Sequence, residues 1–438
     1  MFRKLRFTFR RLVTMSNILE NLLEVYGDRE VMCFSSPLGY RRFPGRGLAN
    51  SDCVLFTNLA AEAFIRELDL KKGERVLLCM SDERETLLLA LAVIKAGGIA
   101  VPLSGDIPWG EAREYAAGCY AGLAIVDSAS YLERLGGRRD IPGVERWMVA
   151  GPRDQAPGDI ASLDEAMDSS SGFFIPYTLK PGNVVGLFPS SRGRDKPKAV
   201  MVTNQGLLGT QRAAALILPL GPGNLAYLGL PLSRAAGFAS SVVGLCAGAA
   251  LFAPDGGGCD IARSLAESGC DVFLGVSYTY AALLEEGRED YDLSSIRLWV
   301  DASPGLSRSH IDELERLGSQ RLRRLKPPAV YSGLYGIPET AGIMAIRPAI
   351  SGWSLPRGCM GITLPPARIK VVDERGRVAR SGDTGELLVR GPNTTPGYWN
   401  DLEETLRMKS GSWLHTGISA RRSRLLVYAD IDESRASL

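Results

Sequence analysis

From Arg75 onward, short apolar runs alternate with helical patterns, and this alternation constrains the fold more than any other feature of the chain. "RVLLCM" (75–80) is a short apolar strand, and Asp82 with Glu85 three residues later marks a capping-box-like helix start. "TLLLALAVIKAGG" then reads as an apolar helix stopped by two glycines. "IAVPL" (99–103), "PWGEAREYAAGC" and "GLAIVD" (122–127) continue as strand, helix and strand. This is the βαβ rhythm of an open, mostly parallel sheet.

A second round follows the Gly/Pro/Asp-rich segment 151–182. "NVVGLF" (183–188) is a strand that runs into "PSSRGRDKPKAV", and a helix "NQGLLGTQRAAALIL" opens at Thr203 or Asn204. "GAALFAP", "DVFLGV" and "RLWVDA" are later strands separated by helices. Ala235 to Pro254 carries no charge and is long enough to span a bilayer. Its Gly, Ser and Ala content favours a buried helix running into a buried strand. After Gly358 short alternating runs such as "ARIKVVDERGRVAR" and "GELLVRGP" read as antiparallel hairpins. With 438 residues and 45% apolar content the chain has enough core for more than one lobe.

The formal net charge is +2, and Arg3, Lys4, Arg6, Arg10 and Arg11 all precede residue 15. The remainder is weakly acidic, which argues against nucleic acid as a partner. Residues 1–14 form a basic extension with Phe2, Leu5, Phe9 and Leu12 on one helical face. Two readings stand for it: an arm that touches an anionic membrane or directs targeting, or a misassigned start ahead of Met15. The second is preferred. Eight scattered cysteines without a CxxC point to reduced thiols in the cytoplasm. His310 and His415 are the only histidines, which excludes a multi-histidine metal site.

Three constellations carry chemistry. In the first, Ser190, Ser191 and Gly193 follow a strand and let backbone N–H groups approach a phosphate, with Lys196 and Lys198 supplying charge. It is not a Walker A loop, and a solvated basic turn fits the stretch equally well. In the second, "VYSGLYGIPETAG", Tyr335 could stack on a flat base. Glu339, three residues after Gly336, is a hard oxygen ligand suited to Mg²⁺. The third, "GELLVRGPNTTPGYWND" with "GSWLHTG", shows by itself a hairpin and an aromatic loop.

Their order and spacing resemble the adenylate-forming superfamily of AMP-dependent acyl-CoA synthetases, luciferases and adenylation domains. The resemblance runs from about Met15 to the end. "PSSRGRDKPKAV" stands for TSGTTGxPKG, "PLSRAAGF" for PLxHxxG, "DASPGLS" for GAAPLS, "YGIPE" for YGxTE and "WLHTGI" for W-F-x-T-G-D. The fold it implies is the α/β large domain of an acyl-CoA synthetase over residues 15–431. That domain has two stacked αβα subdomains and a small distorted β-barrel subdomain from about residue 355. Residues 432–438 are then a hinge remnant, and the C-terminal lid domain is absent.

The implied reaction joins ATP and a carboxylic or fatty acid as an acyl-adenylate, then passes the acyl group to coenzyme A or a carrier's phosphopantetheine. The resemblance assigns catalysis to Lys198 and Glu339, with Mg²⁺ on Glu339. ATP or AMP would contact Ser190, Ser191, Gly193, Ala302, Ser303, Pro304, Tyr335, Gly336 and Pro338. Arg234, Gly237 and Gly333 would border the acyl pocket. A separate lid domain or an acyl carrier protein is the implied protein partner.

Several family positions differ here. Pro189, Ser191, Arg192 and Ala199 alter the phosphate loop, Pro338 removes a threonine hydroxyl, and Arg234 replaces a histidine. Ile418 stands for the aspartate that grips the ribose, and Asp430 for an arginine. A lost charge-assisted hydrogen-bond pair costs about 1.5–3 kcal/mol. Weak ATP binding is therefore expected. The alternative is a pseudoenzyme or scaffold that holds an acyl group or carrier without ATP chemistry.

Overall fold

The computed structural model describes residues 2–104, 107–127, 141–151, 160–190, 198–256, 260–284, 290–303, 306–319, 328–349, 359–422 and 427–429. Among these, seven strands form a first sheet in the order Ala161–Ser162, Arg146–Val149, Leu123–Val126, Arg75–Met80, Ile99–Ser104, Val184–Pro189 and Ala199–Thr203. Its neighbours pair in parallel, apart from the antiparallel hairpin of the last two. Arg75–Met80 is buried at every position after the first. A strand covered on both faces by helices must be apolar throughout, and this one is.

A second sheet begins with Gly47–Ala49 and Glu30–Phe34. It passes through the parallel strands Ala250–Ala253, Leu225–Gly229, Val272–Gly275, Leu298–Asp301 and Val330–Tyr335. Ala345–Arg347 and Cys359–Thr363 then pair antiparallel and lead into the hairpins of the C-terminal part. The antiparallel texture expected after Gly358 is present, hydrogen-bonded to the large sheet rather than set apart from it.

The main core lies between the two sheets, around the helices Asn50–Leu68, Thr86–Lys95, Asn204–Ile217 and Ala235–Ala247. On the outer face of the second sheet, Phe273 and Trp299 pack beneath the helices Ile261–Ser268, Ser277–Leu283 and Arg308–Leu317, against Tyr280 of the second of these. Two stacked αβα units result, as expected. The uncharged stretch 235–254 resolves into a buried helix and the strand Ala250–Ala253, joined at Gly248. Gly248 has φ +75°, and a Cβ there would meet the Tyr26 ring at 2.5 Å, so only glycine fits. No helix among the described residues is long and apolar enough to cross a membrane.

One local expectation comes out differently. Glu83–Glu85 forms a 3₁₀ turn before the Thr86–Lys95 helix, with the Asp82 side chain accepting from Arg84 N–H at 3.2 Å. This tighter entry turns Glu85 inward, where Tyr40 Oη donates to its Oε2 at 2.5 Å, so it does not close a capping box. The N-terminal helix Phe2–Thr8 docks through Phe7, which is fully buried, and not through the Phe2, Phe9 and Leu12 stripe, which is exposed. Lys4 donates to the carbonyls of Leu218 and Leu220, and Arg3 to that of Tyr26. These polar anchors lie on the Phe7 side and set the docked face.

Candidate functional site

The hairpin Val184–Pro189/Ala199–Thr203 carries the first constellation at its tip. The second strand was not foreseen, because "AVMVT" reads as the approach to a helix. Thr203 ends it and caps the Asn204–Ile217 helix, its hydroxyl accepting from Gly206 N–H at 3.1 Å. Ser190 N–H donates to Lys198 O at 2.8 Å and closes the base of the loop. Ser191, Gly193 and Lys196 lie outside the described residues, as do Pro304, Asp430 and the 432–438 tail.

The structure brings the first two constellations together. Ser190 Oγ donates to Glu339 Oε1 at 2.6 Å, and Tyr398 Oη donates to the same oxygen at 2.9 Å. Glu339 is 1% exposed, and its Oε2 is buried without a hydrogen-bond partner among the described residues. A buried carboxylate oxygen left unpaired is costly, because the low dielectric strengthens whatever is missing. The arrangement therefore suits a hard cation. Among the described residues no group of three or more potential ligands gathers. Mg²⁺ beside phosphates needs only one or two carboxylates.

Tyr398 is the participant that sequence reasoning missed, although the "GYW" containing it was noted. Segment 391–400 stitches the site from both sides. Thr395 N–H donates to Glu339 O at 2.8 Å, and Thr395 Oγ1 to Met201 O at 2.6 Å. Trp399 N–H donates to Ala199 O at 2.7 Å and Met201 N–H to Gly397 O at 3.1 Å, so the segment also borders the hairpin.

Tyr335 ends its strand 7% exposed, and Gly336 opens a turn too tight for a side chain. A Cβ on Gly336 would stand 2.3 Å from Gly342 O. Pro338 begins the 3₁₀ turn Pro338–Thr340, a position where no N–H is needed, so the substitution preserves the turn while removing a hydroxyl. Lys198 does not pair with Glu339. Its Nζ lies 2.9 Å from Glu404 on the helix Leu402–Arg407, and 5.4 Å from the Tyr398 ring centroid.

Ala302 and Ser303 follow the strand Leu298–Asp301, where the neighbouring Asp301 proves the more connected residue. Ser303 donates to Asp301 Oδ1 from both N–H and Oγ at 2.9 Å, and Tyr331 Oη donates to Oδ2 at 2.8 Å. Burial pushes the Asp301 carboxyl up to about 6, against the pull of Ser303 and Tyr331. An aspartate closing the apolar run "RLWVDA" was the available signal.

Ile418 is half-buried and packs against the cluster containing Tyr335, Met360, Val371 and Leu387. The preceding residues are pinned by Glu386, whose carboxylate accepts from Gly417 N–H at 2.8 Å and lies 2.8 Å from His415 Nδ1. Gly417 has φ +58°, which produces a bulge opposite Leu387 and aims Ile418 at the cluster.

Of the expected acyl-pocket residues, Arg234 is exposed at the start of the helix Ala235–Ala247. Gly237 leaves no space: a Cβ there would fall 1.9 Å from Pro231 O. Gly333 is looser, its Cβ position 3.5 Å from Arg347 Cβ. A cavity of about 1110 Å³ lies elsewhere, lined by Arg10, Leu12, Tyr177, Gln205, Arg212 and Pro366 among others. It sits at the end of the hairpin opposite Ser190, about 17 Å along a five-residue strand.

A family model described as AMP-binding enzyme matches residues 55–399. Anthranilate–CoA ligase of Pseudomonas aeruginosa is 26% identical over 429 residues, covering 92% of this chain and 73% of that protein. 4-Coumarate–CoA ligase of Pinus taeda is 27% identical over 383 residues, covering 81% of this chain and 66% of its own length. This chain thus spans about two thirds to three quarters of these relatives. Among solved structures, the anthranilate CoA ligase AuaEII in complex with anthranoyl-AMP superposes with a TM-score of 0.80 at 19% identity. That match covers 96% of this chain and 78% of the other, and it shows the shared fold.

Proposed function

The chain belongs to the AMP-binding enzyme family, and on that premise we propose that it activates a carboxylic acid as an acyl-adenylate, with a weakened grip on the nucleotide. One observation carries this reading. Among the described residues, Glu339 is held by Ser190 and Tyr398 through Oε1 alone, and its buried Oε2 is left without a partner.

Glu339 would hold Mg²⁺, which when bound neutralises phosphate charge. The rest is the work of the chain's own groups. Ser190 and Tyr398 fix the carboxylate plane, so that Oε2 is presented in one direction. Tyr335 and Gly336, with Ala302 and Ser303, would border the nucleotide base, and the resemblance adds Pro304 to them. Ser190 would face the phosphates, as would Ser191 and Gly193 by the family resemblance, and Lys198 would join them on leaving Glu404. The substrate carboxylate attacks the α-phosphorus, a P–O bond to pyrophosphate breaks, and pyrophosphate leaves with its electron pair. A thiol of coenzyme A or of a carrier's phosphopantetheine then takes the acyl group, releasing AMP. Arg234 and Gly333 remain the candidates for contact with the acid, while Gly237 serves packing. A lid domain or an acyl carrier protein as partner completes the proposal. A cytoplasmic place of action accords with seven free, buried cysteines among the described residues.

A second reading, a scaffold that binds an acyl group or carrier without ATP chemistry, is favoured by Ile418. An apolar side chain packed beside Tyr335 stands where the resemblance places the ribose-gripping aspartate. Carboxylate-dependent exchange of pyrophosphate into ATP separates the two. Exchange above that of Glu339→Ala rejects the scaffold. Absence of exchange, together with no thermal stabilisation by millimolar Mg·ATP, rejects the ligase.

A further inference from the structure

The most exposed large apolar side chains among the described residues are not scattered. Phe2, Leu12, Phe173, Ile175 and Phe9 are 82%, 81%, 78%, 77% and 73% exposed, the five highest values among the described residues. All five come from two segments that meet. Phe9 and Leu12 line the 1110 Å³ cavity together with Pro176 and Tyr177, which directly follow Ile175 in the chain. Ser16 Oγ donates to Tyr177 O at 2.7 Å and holds the two segments side by side.

Folding does not require this stripe. The N-terminal helix is anchored by buried Phe7 and by the Lys4 and Arg3 bonds to main-chain carbonyls, all of which would persist without Phe2, Phe9 or Leu12. Cations accompany the exposed apolar groups. Arg6 and Arg11 are exposed on the first segment, Lys180 follows the second, and Lys72 lies 4.7 Å over the Tyr177 ring. Of the neighbouring acids, Glu24 is engaged by Arg10 and, at 3.8 Å, by Arg6, Glu20 by Lys95 at 2.7 Å, and Glu62 accepts from Ser171.

Isolated apolar tips interleaved with arginine and lysine match the boundary between headgroups and acyl chains of an anionic bilayer. There the rings enter the apolar layer while the cations meet lipid phosphates. A second copy of the chain fits worse, since a two-fold contact would set these arginines against each other. We propose that the face built from residues 2–12 and 172–180 docks on an anionic lipid surface.

The test is co-sedimentation of the full chain with vesicles of phosphatidylcholine alone and of phosphatidylcholine mixed with phosphatidylglycerol. Binding is expected on the mixed vesicles, well above that on phosphatidylcholine, and should weaken as salt is raised. The pairs Phe9→Ser with Leu12→Ser, and Arg6→Gln with Arg11→Gln, should each lower the partition coefficient about tenfold or more. Their thermal midpoints should stay at the unsubstituted value, because the side chains are exposed. Equal partition of the unsubstituted chain and the Phe9→Ser, Leu12→Ser variant would overturn the proposal. So would equal binding to both vesicle types. Lipid-free dimers lost in the same variant would overturn it in favour of a contact between copies.

Discussion

Ser190 Oγ and Glu339 Oε1 lie 2.6 Å apart in the interior, joining two turns that are 149 residues apart in the chain. Tyr398 adds a second donor to the same oxygen at 2.9 Å. Among the described residues, two donors on one carboxylate oxygen and none on the other is an asymmetric arrangement, and it is what makes Oε2 available.

Glu339→Gln keeps an acceptor for Ser190 and Tyr398 while removing the charge. The expected result is a fold weakened by no more than about 1–2 kcal/mol and loss of the Mg²⁺-dependent part of the ATP-induced thermal shift. Thermal unfolding with ATP, with and without Mg²⁺, reads both.

Ile418→Asp should act in opposite directions on stability and binding. Burying a carboxylate among Tyr335, Met360 and Val371 lowers the midpoint of the ligand-free protein. A restored ribose grip of about 1.5–3 kcal/mol should tighten ATP binding at least tenfold. Calorimetric titration with ATP would show it, and unchanged affinity would remove Ile418 from the nucleotide site.

Glu85 gives the protein a pH dependence of defined sign. Burial raises its carboxyl from 4.5 to about 8, so between those values the unfolded state is ionised while the folded state keeps its proton. The stability from this group is fully present below about pH 4.5 and is lost as pH rises through 8. Glu85→Gln, which preserves an acceptor for Tyr40, should flatten that decline. It should also gain stability on the order of 1–3 kcal/mol at pH 8 and above. Urea midpoints measured across the range provide the check.

The two glycines assigned to the acyl pocket should respond differently to one added methyl. Gly237→Ala forces a carbon to within 1.9 Å of Pro231 O and should cost about 3 kcal/mol or more. At Gly333 the nearest atom is 3.5 Å away, and Gly333→Ala should stay within about 1 kcal/mol of the unsubstituted protein. Denaturant unfolding of both variants tests the contrast.

Much of the architecture was legible in the residue pattern. Runs such as "RVLLCM" and "DVFLGV" are apolar on both faces because both faces are covered, and the Ala235–Ala247 helix is apolar all round because it lies between two sheets. Thr203 caps the Asn204–Ile217 helix as its position suggested. Backbone periodicity and capping are short-range properties, so adjacent residues record them directly.

Polar partners were another matter. Glu85 turns onto Tyr40, Lys198 onto Glu404, and Tyr398 onto Glu339. At the N-terminus Phe7 is buried while Phe9 is exposed. Each outcome depends on which distant segment the sheet order brings alongside. The residue types marked Ser190 and Glu339 as candidates, but only the packed topology placed them on one carboxylate oxygen with Tyr398. A hydrogen bond selects among partners by ångströms and degrees, and those are fixed by the assembled layers, whereas the alternation of apolar runs is written residue by residue along the chain.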